Sequence, residues 1–173
     1  MFRKIVAICL TTFLYVTANA QDFYDEFRAK SIDVEGIMID QKINYGQFVA
    51  KFGNPDEYER KDTYITGGVY ENEENYKIGR NGFSFCDGGR FFGFYLSDSR
   101  FSALTLWIPG GIRVGDKLSK LDNFKYGKPK VADWMKPTDG SVLYVLFYDY
   151  LDGLVFLSVK NGIIEKIWYS DPV

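Results

Sequence analysis

Asp149-Tyr150-Leu151-Asp152-Gly153 sets two carboxylates beside a glycine turn, the donor type that suits a hard cation such as Ca²⁺. The spacing completes no EF-hand loop, and a hairpin turn accounts for the same residues. Carboxylate pairs could also hydrolyse glycosides, since that reaction needs two acids and benefits from aromatic stacking. Nothing singles out one pair among the 23 acids, and Glu71-Asn72-Glu73-Glu74-Asn75 reads as a solvated loop. A nucleophilic Cys86 would need a neighbouring base such as histidine, and the chain contains none. Cys86 therefore reads as a small, partly buried strand residue. The pairs Gly67-Gly68, Gly88-Gly89 and Gly110-Gly111 precede no Lys-Ser/Thr at P-loop spacing, so they mark turns. No motif calls for a metal, a cofactor or a catalytic residue.

The aromatic residues carry more. They make up 18% of the chain, and strand alternation cannot send all of them to one side of a sheet. If Phe92, Phe94 and Leu96 face the core, Tyr95 faces away; if Leu104 and Leu106 face the core, Thr105 and Trp107 face away. By the same parity Phe156, Ser158, Lys166 and Trp168 lie opposite Val155, Leu157 and Ile167. Tyr95, Trp107, Phe156, Lys166 and Trp168 thus form a candidate partner-binding face, because exposed apolar clusters on soluble proteins mark contacts. Alternatively, helices cover that face, or these residues form a seam inside the molecule.

The secondary structure that carries these residues reads as written twice, from about Ile37 to Trp107 and again from Ile112 to Ser170. At an offset of 63, Phe92, Phe94 and Leu96 match Val155, Leu157 and Val159, while Leu104 and Leu106 match Ile167 and Tyr169. At an offset of 74, Phe52-Gly53-Asn54-Pro55 matches Tyr126-Gly127-Lys128-Pro129, so the first copy holds 11 extra residues. In the first copy Asn44 caps a helix with Tyr45, Phe48, Val49 and Phe52 on one face, and Gly53 and Pro55 stop it. In the second, Ser119 is the cap, Leu121 and Phe124 the buried face, Gly127 the stop and Pro129 lies beyond. Strands are expected at Tyr64–Tyr70, Tyr76–Ile78, Gly82–Cys86, Phe91–Leu96 and Phe101–Ile108, then at Val142–Asp149, Leu154–Lys160 and Ile163–Ser170. Asn161-Gly162 fits the type I′ turn of a hairpin, and Ser97–Arg100 is a looser counterpart. The expected fold is α+β, with two tandem copies of a short helical segment followed by an antiparallel β-meander packed as one domain of seven or eight strands. Its parts are a leader (1–20), an N-terminal amphipathic segment (21–36), a first repeat (37–108) and a second (112–171).

A short helix ending in Phe-Gly-x-Pro or Tyr-Gly-x-Pro and followed by an antiparallel sheet, duplicated in an exported chain, resembles the β-lactamase-inhibitory-protein-like superfamily, which includes the SmpA/OmlA outer-membrane lipoproteins. The matching stretches are Ile39 to Pro55 and Val114 to Pro129, with Gly115-Asp116 leading into the second helix. The resemblance implies a two-copy helix-plus-sheet fold used for protein binding, and it transfers no functional residue. Members that inhibit β-lactamase are disulfide-pinned, whereas this chain keeps one cysteine after processing; SmpA/OmlA chains are lipidated, and Leu10 after Cys9 offers no lipidation site.

Export is expected from the N-terminus, where Arg3 and Lys4 precede an apolar run from Ile5 to Val16 and Ala18-Asn19-Ala20 supplies the small residues of a cleavage site. The run is shorter than the roughly 20 residues a spanning helix needs. The mature chain is expected to start at Gln21 and to be periplasmic or extracellular. Processing takes the formal charge from −2 to −4, which argues against nucleic acid. The expected function is that of a non-enzymatic exported protein holding a protein or peptide partner on a sheet face, without a membrane span or lipid anchor. The alternative is a small exported glycan-binding module or carboxylate-dependent hydrolase.

Overall fold

The computed structural model describes residues 32–65, 69–124, 127–146 and 154–170. The expected leader, the amphipathic stretch 21–30 and the Asp149–Gly153 turn lie outside them. In chain order the elements are β1 (Asp33–Val34), β2 (Ile37–Met38), α1 (Tyr45–Phe52), β3 (Glu57–Ile65), β4 (Val69–Ile78), β5 (Asn81–Cys86) and β6 (Arg90–Leu96). A single 3₁₀ turn at Leu118–Leu121 is followed by β7 (Lys130–Val131), β8 (Val142–Leu146), β9 (Leu154–Lys160) and β10 (Ile163–Ser170). Strands β3 to β10 make one sheet in the order β3-β4-β5-β6-β10-β9-β8-β7, with every neighbouring pair antiparallel. Its two halves are meanders that meet at β6 and β10, where Leu96 lies opposite Ile167 and Tyr95 opposite Trp168.

Helix α1 forms where its caps say it should. The Asn44 side chain accepts the Gln47 N–H at 2.9 Å and the Gln47 side chain accepts the Asn44 N–H at 2.9 Å, a reciprocal capping box. Gly53, at φ 94°, lets the chain leave while its N–H still donates to the Val49 carbonyl at 2.9 Å. Phe48 and Phe52 bury against the inner face of the sheet. The Phe48 ring stacks on Tyr76 at 4.7 Å and meets Phe85 edge-on at 5.6 Å, and Phe52 lies 4.5 Å from Phe83. Tyr45, expected on the same apolar face, is exposed.

The expectation of two tandem helix-plus-sheet copies is overturned: the molecule is mostly β, and α1 is the one α-helix among the described residues. The second stretch that carries the family resemblance holds only the 3₁₀ turn. No side chain caps it, and Ser119, Asp122 and Asn123 are weak helix formers. The backbone before it is also engaged elsewhere, since Gly115 and Leu118 donate to the carbonyls of Ile164 and Gly162 and Ile164 donates to Asp116. The offset of 63 fails as well, because it equates β6 with β9, whereas β6 is the sheet neighbour of β10.

Phe101–Ile108 is not a strand. Leu104 turns there at φ 57°, and its carbonyl accepts the N–H groups of Trp107 and Ile108. Leu104 is consequently fully buried while Leu106 is 49% exposed, which breaks the expected parity. In β6 a bulge at Phe92 places Phe91, not Phe92, opposite Phe85 and in the core. Of the expected strand Tyr64–Tyr70, Tyr64 and Ile65 end β3 and Val69 and Tyr70 begin β4, paired with each other, and Glu71–Asn75 belongs to β4 instead of a loop. Cys86 is buried at the end of β5.

Candidate functional site

Alternation along β3–β6 puts Phe83, Phe85, Phe94 and Leu96 into the core and leaves Gly82, Ser84, Gly93 and Tyr95 on the outer face. The ladder aligns these across strands: Gly82 opposes both Lys77 and Tyr95, and Ser84 opposes both Asn75 and Gly93. Gly82 and Gly93, set diagonally across β5 and β6, remove the side chains that would stand there, and the result is an open trough of about 540 Å³. A glycine inside a strand commonly marks a place where another chain or ligand approaches the backbone.

One wall of the trough is aromatic. Tyr95, 41% exposed, stands beside Trp168 with ring centroids 6.5 Å apart, and Trp168 stacks on Phe156 at 5.2 Å and 14°. The row follows from register, since Tyr95 opposes Trp168 and Trp168 opposes Phe156. The other wall is polar and already ordered. Ser84 Oγ donates to Asn75 Oδ1 at 2.6 Å, Asn75 Nδ2 donates to Glu73 Oε1 at 2.8 Å, and Lys61 Nζ lies 3.4 Å from the same oxygen. Lys77 donates to Glu57 at 2.7 Å, and that hydrogen bond and charge raise its ammonium above the usual lysine range. Under the sheet, burial and a hydrogen bond to Glu74 push the Tyr76 phenol well up, so it stays neutral.

The five residues expected on this face do not all share it in the same way. Tyr95 and Trp168 flank the open trough. Phe156 is on the same face but buried, because the chain from Ala132 onward folds over β8 and β9 and forms a small cluster of Ala132, Leu143, Val145 and Phe156, with Leu154 and Trp168 against it. Lys166 lies on that side of β10, directly opposite Ser158. Trp107 is not on the sheet; it sits half-buried in the turn after Leu104, so its proposed place in the row is lost with the strand that was to carry it. Gly82, Gly93, Ser84 and Asn75 were not anticipated, and the available signal was the pair of interior strand glycines.

The fold and site define a predominantly antiparallel β protein with one α-helix among the described residues and a glycine-floored, aromatic-walled trough on the outer face of its sheet. No family model matches the chain, and no curated protein matches it. Among solved structures, the chain is similar to a DUF4309 family protein (YjgB) from Bacillus subtilis subsp. subtilis str. 168, at 14% identity over 80% of this chain and 84% of that one, with a TM-score of 0.36. At that level the likeness carries no function to this chain. No helix among the described residues is long and apolar enough to cross a membrane.

Proposed function

We propose that this is an exported, non-enzymatic interaction protein that holds an extended polypeptide segment of a partner in the outer-face trough. The observation that carries this reading is the glycine floor between an aromatic wall and a pre-ordered polar wall. A peptide laid there meets rings for its apolar side chains and amide and hydroxyl groups for its backbone. Export rests on the charged, apolar and small-residue order of residues 1–20. A glycosidase would need two carboxylates on opposite sides of a sugar. Glu59 is the one carboxylate among the described residues that line the trough.

Gly82→Val is the direct test. A Cβ at Gly82 meets nothing within 4 Å, and valine suits a strand, so the substitution fills the trough without a steric conflict. Expected is a denaturant midpoint within about 0.5 kcal/mol of wild type, with loss of partner retention on the immobilised chain; Tyr95→Ala should weaken retention by about 2 kcal/mol. Retention unchanged in both variants sinks the trough as the binding site.

A further inference from the structure

A second cleft, of about 280 Å³, lies where the chain around Met135–Ser141 passes over the outer face of β9 and β10. Ser158, Leu143, Trp168 and Met135 line it, together with the charged Lys136, Lys166 and Asp139. Ser158 is 2% exposed, yet its hydroxyl has no hydrogen-bond partner among the described residues. Buried hydroxyls are nearly always satisfied, so an unpartnered one lining a cleft can bond a ligand's polar atom.

The charges in the cleft narrow what that ligand is. Asp139 Oδ1 accepts the Ser141 hydroxyl at 2.7 Å and the Ser141 N–H at 3.0 Å. Those two bonds, with the Lys166 charge added, hold its carboxyl below the usual range, and it is ionised at neutral pH. Lys166 lies directly across the ladder from Ser158. A carboxylate entering here gains from Lys166 and from the more exposed Lys136 but has no proton to offer Asp139, and an ammonium pairs with Asp139 but has no lone pair for the lysines. A neutral group with a donor and an acceptor gains from both. Sugars satisfy that description too, but Phe156 and Tyr95 flank the Trp168 indole on its two neighbouring strands, which leaves poor room for a pyranose to lie flat on it.

We propose that this cleft is a subsite for a neutral amide of a polypeptide, either a main-chain peptide group or a carboxamide side chain. Its carbonyl accepts from the Ser158 hydroxyl and the Lys166 ammonium, its N–H donates to Asp139, and its apolar flank rests on Leu143 and Met135. The inference rests on the polypeptide reading of the trough, with Trp168 lining both cavities.

The experiment titrates the isotope-labelled full chain with N-acetyl-leucinamide, with N-acetyl-leucine carrying a free carboxylate, and with methyl glucoside, reading the amide signals of Ser158 and Lys166 and the Trp168 indole N–H. The amide should give a saturable shift at these three residues and bind more tightly than the other two probes. Ser158→Ala should weaken amide binding about three- to tenfold, the effect of one lost hydrogen bond, while its melting temperature is unchanged or higher because an unsatisfied hydroxyl has been removed. Lys166→Met should weaken it as well. Tighter binding of the free acid or of the glucoside, no saturable shift with the amide, or amide binding unaffected by Ser158→Ala would each overturn the proposal. Tyr95→Ala separates this from the trough: unchanged partner retention in that variant with an intact amide titration overturns only the trough reading, and weakened retention without a saturable amide shift in wild type overturns only the subsite.

Discussion

Asp33 is fully buried, and its carboxylate accepts the N–H groups of Gly36 at 2.8 Å and Leu106 at 3.1 Å together with the Thr105 hydroxyl. It thereby ties the first hairpin to the turn that displaces Trp107 from the sheet. Asn81 does the same at the end of β6, its Oδ1 accepting the N–H groups of Ser97 and Asp98 and its Nδ2 donating to Asp98 at 2.8 Å. Strand parity made Tyr95 and Trp168 legible, because side-chain direction in a strand is local. The fate of Trp107 was not, because it depends on Asp33, more than 70 residues away. Asp98 yields a pH prediction. Partial burial pushes its carboxyl up, but the Asn81 amide, the Arg100 and Arg80 backbone N–H groups and the Arg100 charge outweigh this and hold it below the ordinary range. A lowered folded-state pKa stabilises the fold above the unfolded value and loses that contribution as pH falls through the folded one. Asp98→Ala should therefore cost about 1–2 kcal/mol at pH 7. Urea unfolding should show that gap closing below about pH 4; a gap independent of pH would assign the cost to packing instead.

Helix α1 was legible because its start and stop are chemical signals carried by Asn44 and Gly53 themselves. The second helix shared the stop, with Gly127 at φ 106°, but lacked the start, since Lys117 offers no capping side chain. A glycine-proline ending thus marks where a chain can turn, and it does not require a helix before it. The capping box predicts that Asn44→Ala costs about 1 kcal/mol in thermal or denaturant unfolding, and that Asn44→Asp costs much less because aspartate also accepts from the N–H of Gln47. Equal losses in both variants would mean that α1 is held by Phe48 and Phe52 alone. Strand boundaries failed where the chain bends for long-range reasons, at the Phe92 bulge and after Leu96, whereas the Asn161-Gly162 hairpin, set by a local turn, pairs Lys160 with Ile163 as expected.

Nothing local in the sequence states that β6 pairs with β10, and this one junction determines the whole sheet. At the outer edge, β3 carries Glu57, Glu59, Arg60, Lys61 and Asp62, charges that discourage pairing with another chain, while β7 at the opposite edge is only two residues long. In the middle, β9 is buried on both faces from Val155 to Val159, so its sequence shows none of the alternation that would have marked an outer and an inner side. The two meanders therefore share a core instead of owning one each. Ile167 stands at the joint, fully buried, opposite Leu96 on β6 and Leu157 on β9. Ile167→Ala should cost about 2–5 kcal/mol through the cavity it leaves. If the halves share one core, the variant still unfolds in a single step, with tryptophan fluorescence and far-ultraviolet circular dichroism giving the same midpoint. Separate midpoints would show that the first meander, with α1 packed beneath it, survives the loss of its partner, and the junction would then be a contact between two folding units rather than the centre of one.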